Sequence, residues 1–245
     1  MSAVDMIAAG LRRVGLAVSR FPAPHSLSRC VKEFLRDNGI NLVLDVGAFH
    51  GTYCALLREE AGYTGAIRSF EPCSESYQVL CSVLARDPLW RGYQFGLSDH
   101  DSTAVLNTHP GRGNFNSLLR LREEGGRAYC VDTAKASTEP IQLNSIDTIW
   151  DEITQDISAP RVFLKIDTQG HDMAVALGAA AHLPNIIGIQ TEMPVVEIYD
   201  GMTPMTDALS QYQRLGYVPI GFYPVNTPRY YGVSPEFDVI LRQFR

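Results

Sequence analysis

The sequence lacks several patterns that would assign it at once to a functional class. It has no apolar run of the roughly 20 residues that a membrane span needs, and it has no internal repeat or low-complexity tract. Its five cysteines are widely spaced and form no CxxC pair, which argues against a structural zinc site and favours a reduced, cytoplasmic compartment. With 21 basic against 27 acidic residues, a broad surface for nucleic acid is not expected.

The N-terminal segment MIAAGLRRVGLAVSRF is apolar but is interrupted by Arg12 and Arg13. Each apolar run is shorter than the hydrophobic core of a signal peptide, so we expect neither export nor insertion across a membrane. The mixture of arginines with apolar residues allows a helix packed on its own domain or a weak peripheral contact with an anionic membrane surface. We favour the packed helix, because amphipathic patterns first of all indicate packing.

Short apolar runs alternate with helical patterns along the 245 residues, which is typical of a doubly wound, mostly parallel α/β sheet. Residues 1–39 are predicted to form a helical lead-in, with a helix from its N-cap Ser26 to Asn38 and a stop at Gly39. Residues 40–245 are predicted to form a single domain, with an insertion at about residues 101–138 that contains a short hairpin in TAVLNT.

One sheet is expected to contain all the main strands. The runs INLVLDVG, AIRSFEP and YQFGLSD are its first three predicted strands, and RVFLKID and IIGIQTEM are later ones. The last two runs, YVPIGFYPV and FDVILRQF, have only a loop between them and should therefore pair antiparallel.

Residues that end the apolar runs are the candidates for a site, because ligands bind outside the carboxyl ends of the strands of an open α/β sheet. The first run ends in DVGAFHG, where Gly47 and Gly51 allow the backbone to approach a ligand closely. The spacing differs from the GxGxxG of dinucleotide sites, because Phe49 would block a pyrophosphate. Asp45 would repel a pyrophosphate but attract an ammonium group, such as that of a methionine moiety.

Acids also end the next two predicted strands. Glu71 can accept hydrogen bonds from both hydroxyls of a ribose, and Asp99, after Ser98, can accept one from the exocyclic amine of adenine. Each acid could instead cap a helix or form a turn. Acids at three successive strand ends, together with GxxxG, favour S-adenosylmethionine over NAD(P) as the cofactor.

The run LKIDTQGHD contains the candidates for methyl transfer to a hydroxyl, which must lose its proton near the transition state. His171 is one candidate base. Alternatively, Asp167 and Glu192, at adjacent strand ends, could hold Mg²⁺, which would lower the pKa of a bound hydroxyl. Local structural roles stay open for His171 and Glu192, and Lys165 is expected to pair with Asp167.

The motifs as a set resemble the FkbM-type S-adenosylmethionine-dependent methyltransferases from about Asn41 to Arg242. They occur in the family's order: LVLDVGAFHGTY, SFEP, GLSD, SIDTIW, LKIDTQGHD, TEM and YGVSPEFDVILR. The resemblance implies a class I methyltransferase fold, a Rossmann-like seven-stranded sheet whose last strand is antiparallel, and O-methylation, commonly of sugars in glycolipids, polysaccharides or antibiotics. It implies cofactor contacts at Asp45, Gly47, Gly51, Glu71 and Asp99, to which we add Phe49 and Ser98 from the same loops.

The chain departs from the family's usual pattern in two loops. Phe49 and His50 stand where Asn and a small residue are more frequent, and Thr52 stands in place of Gln, so the methionine end of the pocket is expected to differ in shape. Asp172, preceded by His171, stands where the family usually has Glu.

The sequence therefore predicts an S-adenosylmethionine-dependent O-methyltransferase acting on a sugar-containing small molecule or a glycolipid, and not on nucleic acid. Asp167 and His171 are the predicted catalytic residues, with Glu192 as a metal ligand or orienting acid. A nicotinamide-dependent oxidoreductase is disfavoured by the missing GxGxxG. A non-catalytic module that binds S-adenosylmethionine is disfavoured by the pairing of Asp167 with Glu192 at adjacent strand ends.

Overall fold

A computed structural model describes residues 22–23, 25–225 and 234–244. The N-terminal segment with Arg12 and Arg13, and with it the predicted membrane contact, lies outside the described residues. Within these ranges no helix combines the length and the apolar character that crossing a bilayer requires.

Strands and helices alternate along most of the chain. The strands are β1 Leu42–Val46, β2 Ala66–Phe70, β3 Trp90–Tyr93, β4 Gly96–Ser98, β5 Ser102–Thr108, β6 Ser137–Ser145, β7 Val162–Ile166, β8 Ile186–Pro194, β9 Tyr217–Val225 and β10 Glu236–Gln243. The helices are α1 Leu27–Asp37, α2 Thr52–Ala55, α3 Ser74–Leu84, α4 Glu123–Tyr129, α5 Ile146–Thr154, α6 Asp172–Leu177 and α7 Met205–Arg214; a π-helical turn, Leu56–Glu60, extends α2. Short 3₁₀ turns occur at Gly113–Phe115, Thr133–Lys135 and Ala180–Asn185.

Seven strands form the main sheet in the order β3-β2-β1-β7-β8-β10-β9. Neighbouring strands are parallel except β10, which is antiparallel to both β8 and β9. The predicted α/β class and the predicted antiparallel pairing of the last two strands are confirmed.

Helices cover both faces of the main sheet, so its central strands are buried throughout. Along β1, Leu42, Leu44 and Val46 point into one apolar cluster with α5, α6 and α7, whereas Val43 points into the other with α1 and α2. The start of α1 is the predicted one, because the Ser26 hydroxyl accepts a hydrogen bond from the Arg29 amide at 3.3 Å.

The predicted third strand, YQFGLSD, is wrong as a single strand. The chain leaves the main sheet after β3, and β4 pairs in parallel with β6 in a second sheet of order β4-β6-β5. Gly96 allows this close pairing, since a Cβ there would lie 2.7 Å from a methyl group of Leu143. Apolar periodicity describes a strand but not its partner, so the change of sheet was not visible in the sequence.

The hairpin predicted in TAVLNT is also wrong. These residues belong to β5, which pairs antiparallel with the distant β6, so that Thr108 lies opposite Ser137. We call the chain between them, residues 109–136, the excursion; it contains α4, which the sequence pattern did not indicate. Pairing over such a separation leaves no local turn signal.

Candidate active site

A cleft opens at the carboxyl ends of β1, β2 and β7, between the main sheet and the second sheet. It encloses about 860 Å³, part of which is open to solvent. The cleft has two ends: a turn end, around Gly47 and Glu71, and a strand-β7 end, around Asp167 and His171.

The turn after β1 requires glycine at Gly47. Its φ is +73°, and a Cβ there would lie 1.9 Å from the carbonyl oxygen of Asp167. Gly51 also has a left-handed φ, of +82°. Gly47 lines the cleft, so the backbone itself forms the wall there. Gly51 lies outside the lining and packs against Leu80 and Leu84 of α3.

Glu71 lies in the wall of the turn end and is 6% exposed. Its two carboxylate oxygens accept hydrogen bonds from the amides of Phe49, at 2.8 Å, and Cys73, at 3.0 Å. Burial raises the pKa of Glu71 to about 7 in spite of these bonds. Phe49 has a left-handed φ of +46°. Its ring stacks on that of His50, with the ring centroids 3.6 Å apart, so both its amide and its ring hold it in place.

An apolar slot adjoins Glu71. Pro72, and Leu97 of β4, line it, together with three further side chains of the second sheet, Leu106, Ile141 and Leu143. The place of these three in the cleft is not visible in the sequence, because they line it only through the pairing of β5 with β6. A slot of this composition suits a flat, weakly polar ring.

Asp45 lies beneath the turn and outside the lining of the cleft. Alternation along β1 places its carboxylate on the α2 face, where it is fully buried beside Cys54. The Lys165 ammonium lies 3.2 Å from this carboxylate and 3.5 Å from that of Asp167, and it donates to the Gly47 carbonyl at 3.0 Å. The pairing of Lys165 with Asp167 is as predicted, and Asp45 is a second partner.

The predicted magnesium site is not supported by its donor set. The side-chain amide of Gln169 donates to Asp167 at 2.7 Å and to Glu192 at 3.1 Å, so N–H groups lie where a cation would have to be. Among the described residues no group of three or more His, Cys, Asp and Glu side chains is arranged to hold a metal ion. Burial, followed by the charges of Asp167 and Glu236, raises the pKa of Glu192 well above its ordinary value.

His171 lines the cleft at the start of α6. Its Nε2 lies 2.9 Å from the hydroxyl of Ser98, which in turn donates to Asp99 at 3.1 Å. Burial lowers the pKa of His171, which favours the neutral imidazole. Ser98 and Asp99 are thus placed behind His171 and outside the lining of the cleft, with the Asp99 side chain 48% exposed and paired with His100.

Asp172 has a structural role in the turn before α6. It accepts hydrogen bonds from the Thr168 amide and the Thr191 hydroxyl, both at 2.9 Å, and so fixes the end of β7 to β8.

A domain model described as the methyltransferase FkbM domain matches residues 45–219, a range that spans both ends of the cleft. The chain belongs to the FkbM methyltransferase family. The predicted family and the class I methyltransferase fold are confirmed. None of the functionally curated proteins compared with the chain matches it significantly.

Several solved methyltransferases are similar to this FkbM-family chain. The O-methyltransferase TomG from Streptomyces achromogenes, in complex with SAM, has a TM-score of 0.50 at 12% identity over 100% of this chain and 91% of TomG. The methyltransferase FkbM from Methylobacillus flagellatus has a TM-score of 0.48 at 18% identity; the match covers 82% of this chain but only 43% of that one. Magnesium protoporphyrin IX methyltransferase from Synechocystis, with bound SAM, has a TM-score of 0.47 at 10% identity over 88% of this chain and 77% of that one.

Proposed function

We propose that this FkbM-family protein transfers a methyl group from S-adenosylmethionine to a hydroxyl group of a sugar, in a small molecule or a glycolipid. The observation that carries the proposal is the composition of the cleft. A buried carboxylate beside an apolar slot lies at one end, and a neutral imidazole beside a carboxylate lies at the other. These are the groups that an adenosine moiety and a reacting hydroxyl need.

The residues of the turn end fit the cofactor. Glu71 has lone pairs left to accept from ribose hydroxyls after its two backbone hydrogen bonds, and the slot beside Leu97 and Leu143 suits adenine. The Gly47 turn and Lys165 would flank the methionine moiety. When bound, S-adenosylmethionine supplies the methyl group on a positively charged sulfur.

At the strand-β7 end, His171 takes up the proton of the acceptor hydroxyl as the oxygen gains its methyl group. Its lowered pKa keeps the imidazole unprotonated at neutral pH. If Nε2 donates to Ser98, Nδ1 is the free acceptor nitrogen. Asp167, which also lines the cleft, accepts a hydrogen bond from the same hydroxyl and orients it.

The polar surroundings of the cleft support a sugar as the acceptor. A second hollow of about 680 Å³ adjoins the cleft through Phe49, Gly113 and Asn116. Its lining includes imidazoles, carboxylates and hydroxyls, from His50, His109, Glu75, Glu139, Ser76, Thr108 and Ser137. Closely spaced donors and acceptors of this kind match the hydroxyl groups of a carbohydrate.

Calorimetry with S-adenosylhomocysteine tests the cofactor, and transfer of a radiolabelled methyl group to a panel of deoxysugar glycolipids tests the reaction. We expect micromolar binding, and we expect His171→Gln to keep that binding while reducing transfer about 100-fold or more. Binding without transfer to any acceptor would favour a non-catalytic module. Binding of NAD(P)H in place of S-adenosylhomocysteine would favour an oxidoreductase and overturn the proposal.

A further inference from the structure

The side-chain amide of Gln169 connects two acids at the strand-β7 end of the cleft. Its nitrogen donates to Asp167 at 2.7 Å and to Glu192 at 3.1 Å. Its oxygen accepts from the hydroxyl of Tyr199, a fully buried residue, at 2.7 Å. The Tyr199 hydroxyl donates a proton, so it must face the oxygen of the amide. The two acids accept, so they must face its nitrogen, and both sides therefore agree on the orientation of the amide.

The backbone of Gln169 is held in an unfavourable conformation. Its φ is +54°, in the left-handed region that residues with a Cβ rarely adopt. The carbonyl group of Gln169 accepts a hydrogen bond from Ser117 of the excursion at 2.7 Å. Such strain persists only where the surrounding structure fixes it, and it often occurs at functional sites.

The partners of Gln169 come from four separate parts of the chain. Asp167 directly follows β7, Glu192 lies in β8, Ser117 belongs to the excursion and Tyr199 follows β8. The excursion and the segment after β8 also share an apolar cluster that includes Phe115 and Tyr199. Gln169 therefore joins the acids of the main sheet to the chain that covers them.

We propose that the amide of Gln169 takes the place of a divalent cation between Asp167 and Glu192, at the end of the cleft where the function proposed above places the acceptor. Two N–H groups satisfy one oxygen of each carboxylate, which is the geometric role that a bridging cation would have. In this way the amide holds Asp167 in the wall of the cleft, where a third of the Asp167 side chain is exposed. A cation can bind the two carboxylates only if the amide moves away.

Electron paramagnetic resonance of Mn²⁺ tests this arrangement without any acceptor. Gln169→Glu replaces the donors by a third carboxylate and should bind Mn²⁺ at least tenfold more tightly than the wild type. Gln169→Ala only removes the amide and should bind Mn²⁺ with an affinity between the two. Gln213→Glu, on the exposed side of α7, adds the same charge elsewhere and should behave like the wild type.

Calorimetry with S-adenosylhomocysteine on the same proteins separates this inference from the proposed function. The wild type should bind it, and Gln213→Glu should keep that affinity within about twofold, because Gln213 is exposed and lies outside the lining of the cleft. Equal Mn²⁺ binding by the wild type and Gln169→Ala would overturn the inference, since the amide would then not exclude a cation. Absence of S-adenosylhomocysteine binding by the wild type would count against the proposed function and leave the Mn²⁺ comparison intact. Unfolding of Gln169→Ala would leave the near-isosteric Gln169→Glu as the deciding variant.

Discussion

The two ends of the cleft are built by different means. At the turn end, Gly47 and the amides of Phe49 and Cys73 shape the surroundings of Glu71, so main-chain geometry determines that part of the site. At the strand-β7 end, side chains meet from distant parts of the chain, with Gln169 at their centre. Main-chain geometry depends on short stretches of sequence, whereas contacts between side chains depend on the whole fold. The surroundings of Glu71 are therefore determined by more local stretches of sequence than the strand-β7 end is.

Lys165 lies beneath both ends, and its replacement is expected to have the largest effect on stability. Lys165→Met leaves the fully buried Asp45 carboxylate without its ion-pair partner, which should lower the free energy of unfolding by about 3–5 kcal/mol. Urea unfolding measures the change. The double variant Lys165→Met/Asp45→Asn removes the unpaired charge and should recover part of the loss; equal stability of single and double variants would show that the ion pair is not the cause.

Gly47→Ala is expected to disturb the turn end. A Cβ would lie 1.9 Å from the Asp167 carbonyl, so the turn must move, and we expect affinity for S-adenosylhomocysteine to fall about 100-fold or more. Calorimetry checks the affinity. Gly62→Ala is the matched control, because Gly62 has a similar φ of +67° but open space around it. If both variants bind equally well, close approach of the backbone is not what Gly47 supplies.

Glu71→Gln removes the charge at the turn end but keeps the shape of the side chain. The ionised carboxylate is the stronger acceptor for ribose hydroxyls, so wild-type affinity for S-adenosylhomocysteine should rise with pH through about 7, the raised pKa of Glu71. The variant should bind about tenfold more weakly at pH 8 and show little dependence on pH. A variant that keeps the wild-type pH profile would place the titrating group elsewhere.

The same substitution alters how stability depends on pH. Burial raises the pKa of Glu71 from 4.5 to about 7, so the folded protein binds a proton that the unfolded chain releases between these values. This group therefore lowers the free energy of unfolding as pH rises through that window, and its effect is constant above it. In urea unfolding at several pH values, Glu71→Gln should show a smaller decline than the wild type across that window.

Ser117→Ala is expected to have the smallest effect, and only at the strand-β7 end. Loss of the hydrogen bond to the Gln169 carbonyl should lower the free energy of unfolding by about 1 kcal/mol. Hydrogen exchange of amides in the excursion should become faster, while S-adenosylhomocysteine affinity stays within about twofold. Ser210→Ala, which removes a hydroxyl bonded within α7, serves as the control. Faster exchange around Glu71 in Ser117→Ala would contradict the expectation that this change stays at the strand-β7 end.

The same contrast explains what could be predicted from the sequence. The Ser26 cap, the Gly47 turn and the position of Glu71 follow from neighbouring residues, and each was predicted. The change of sheet after β3 and the pairing of β5 with β6 depend on distant partners, so periodicity did not reveal them. Gln169 was not singled out, because its bonds to Ser117 and Tyr199 exist only in the folded chain.

The excursion begins and ends at neighbouring points of the fold. Thr108 and Ser137 lie opposite each other in the second sheet, with their hydroxyl oxygens 2.8 Å apart. A replacement segment of different length therefore starts from ends that β5 and β6 already hold together, and each doubling of its length would cost only about 0.6 kcal/mol of closure entropy. The four cleft-lining residues of the excursion, Gly113, Asn114, Asn116 and Leu118, can then all change by exchange of one contiguous stretch of chain, while the Gly47 turn and Glu71 stay unchanged.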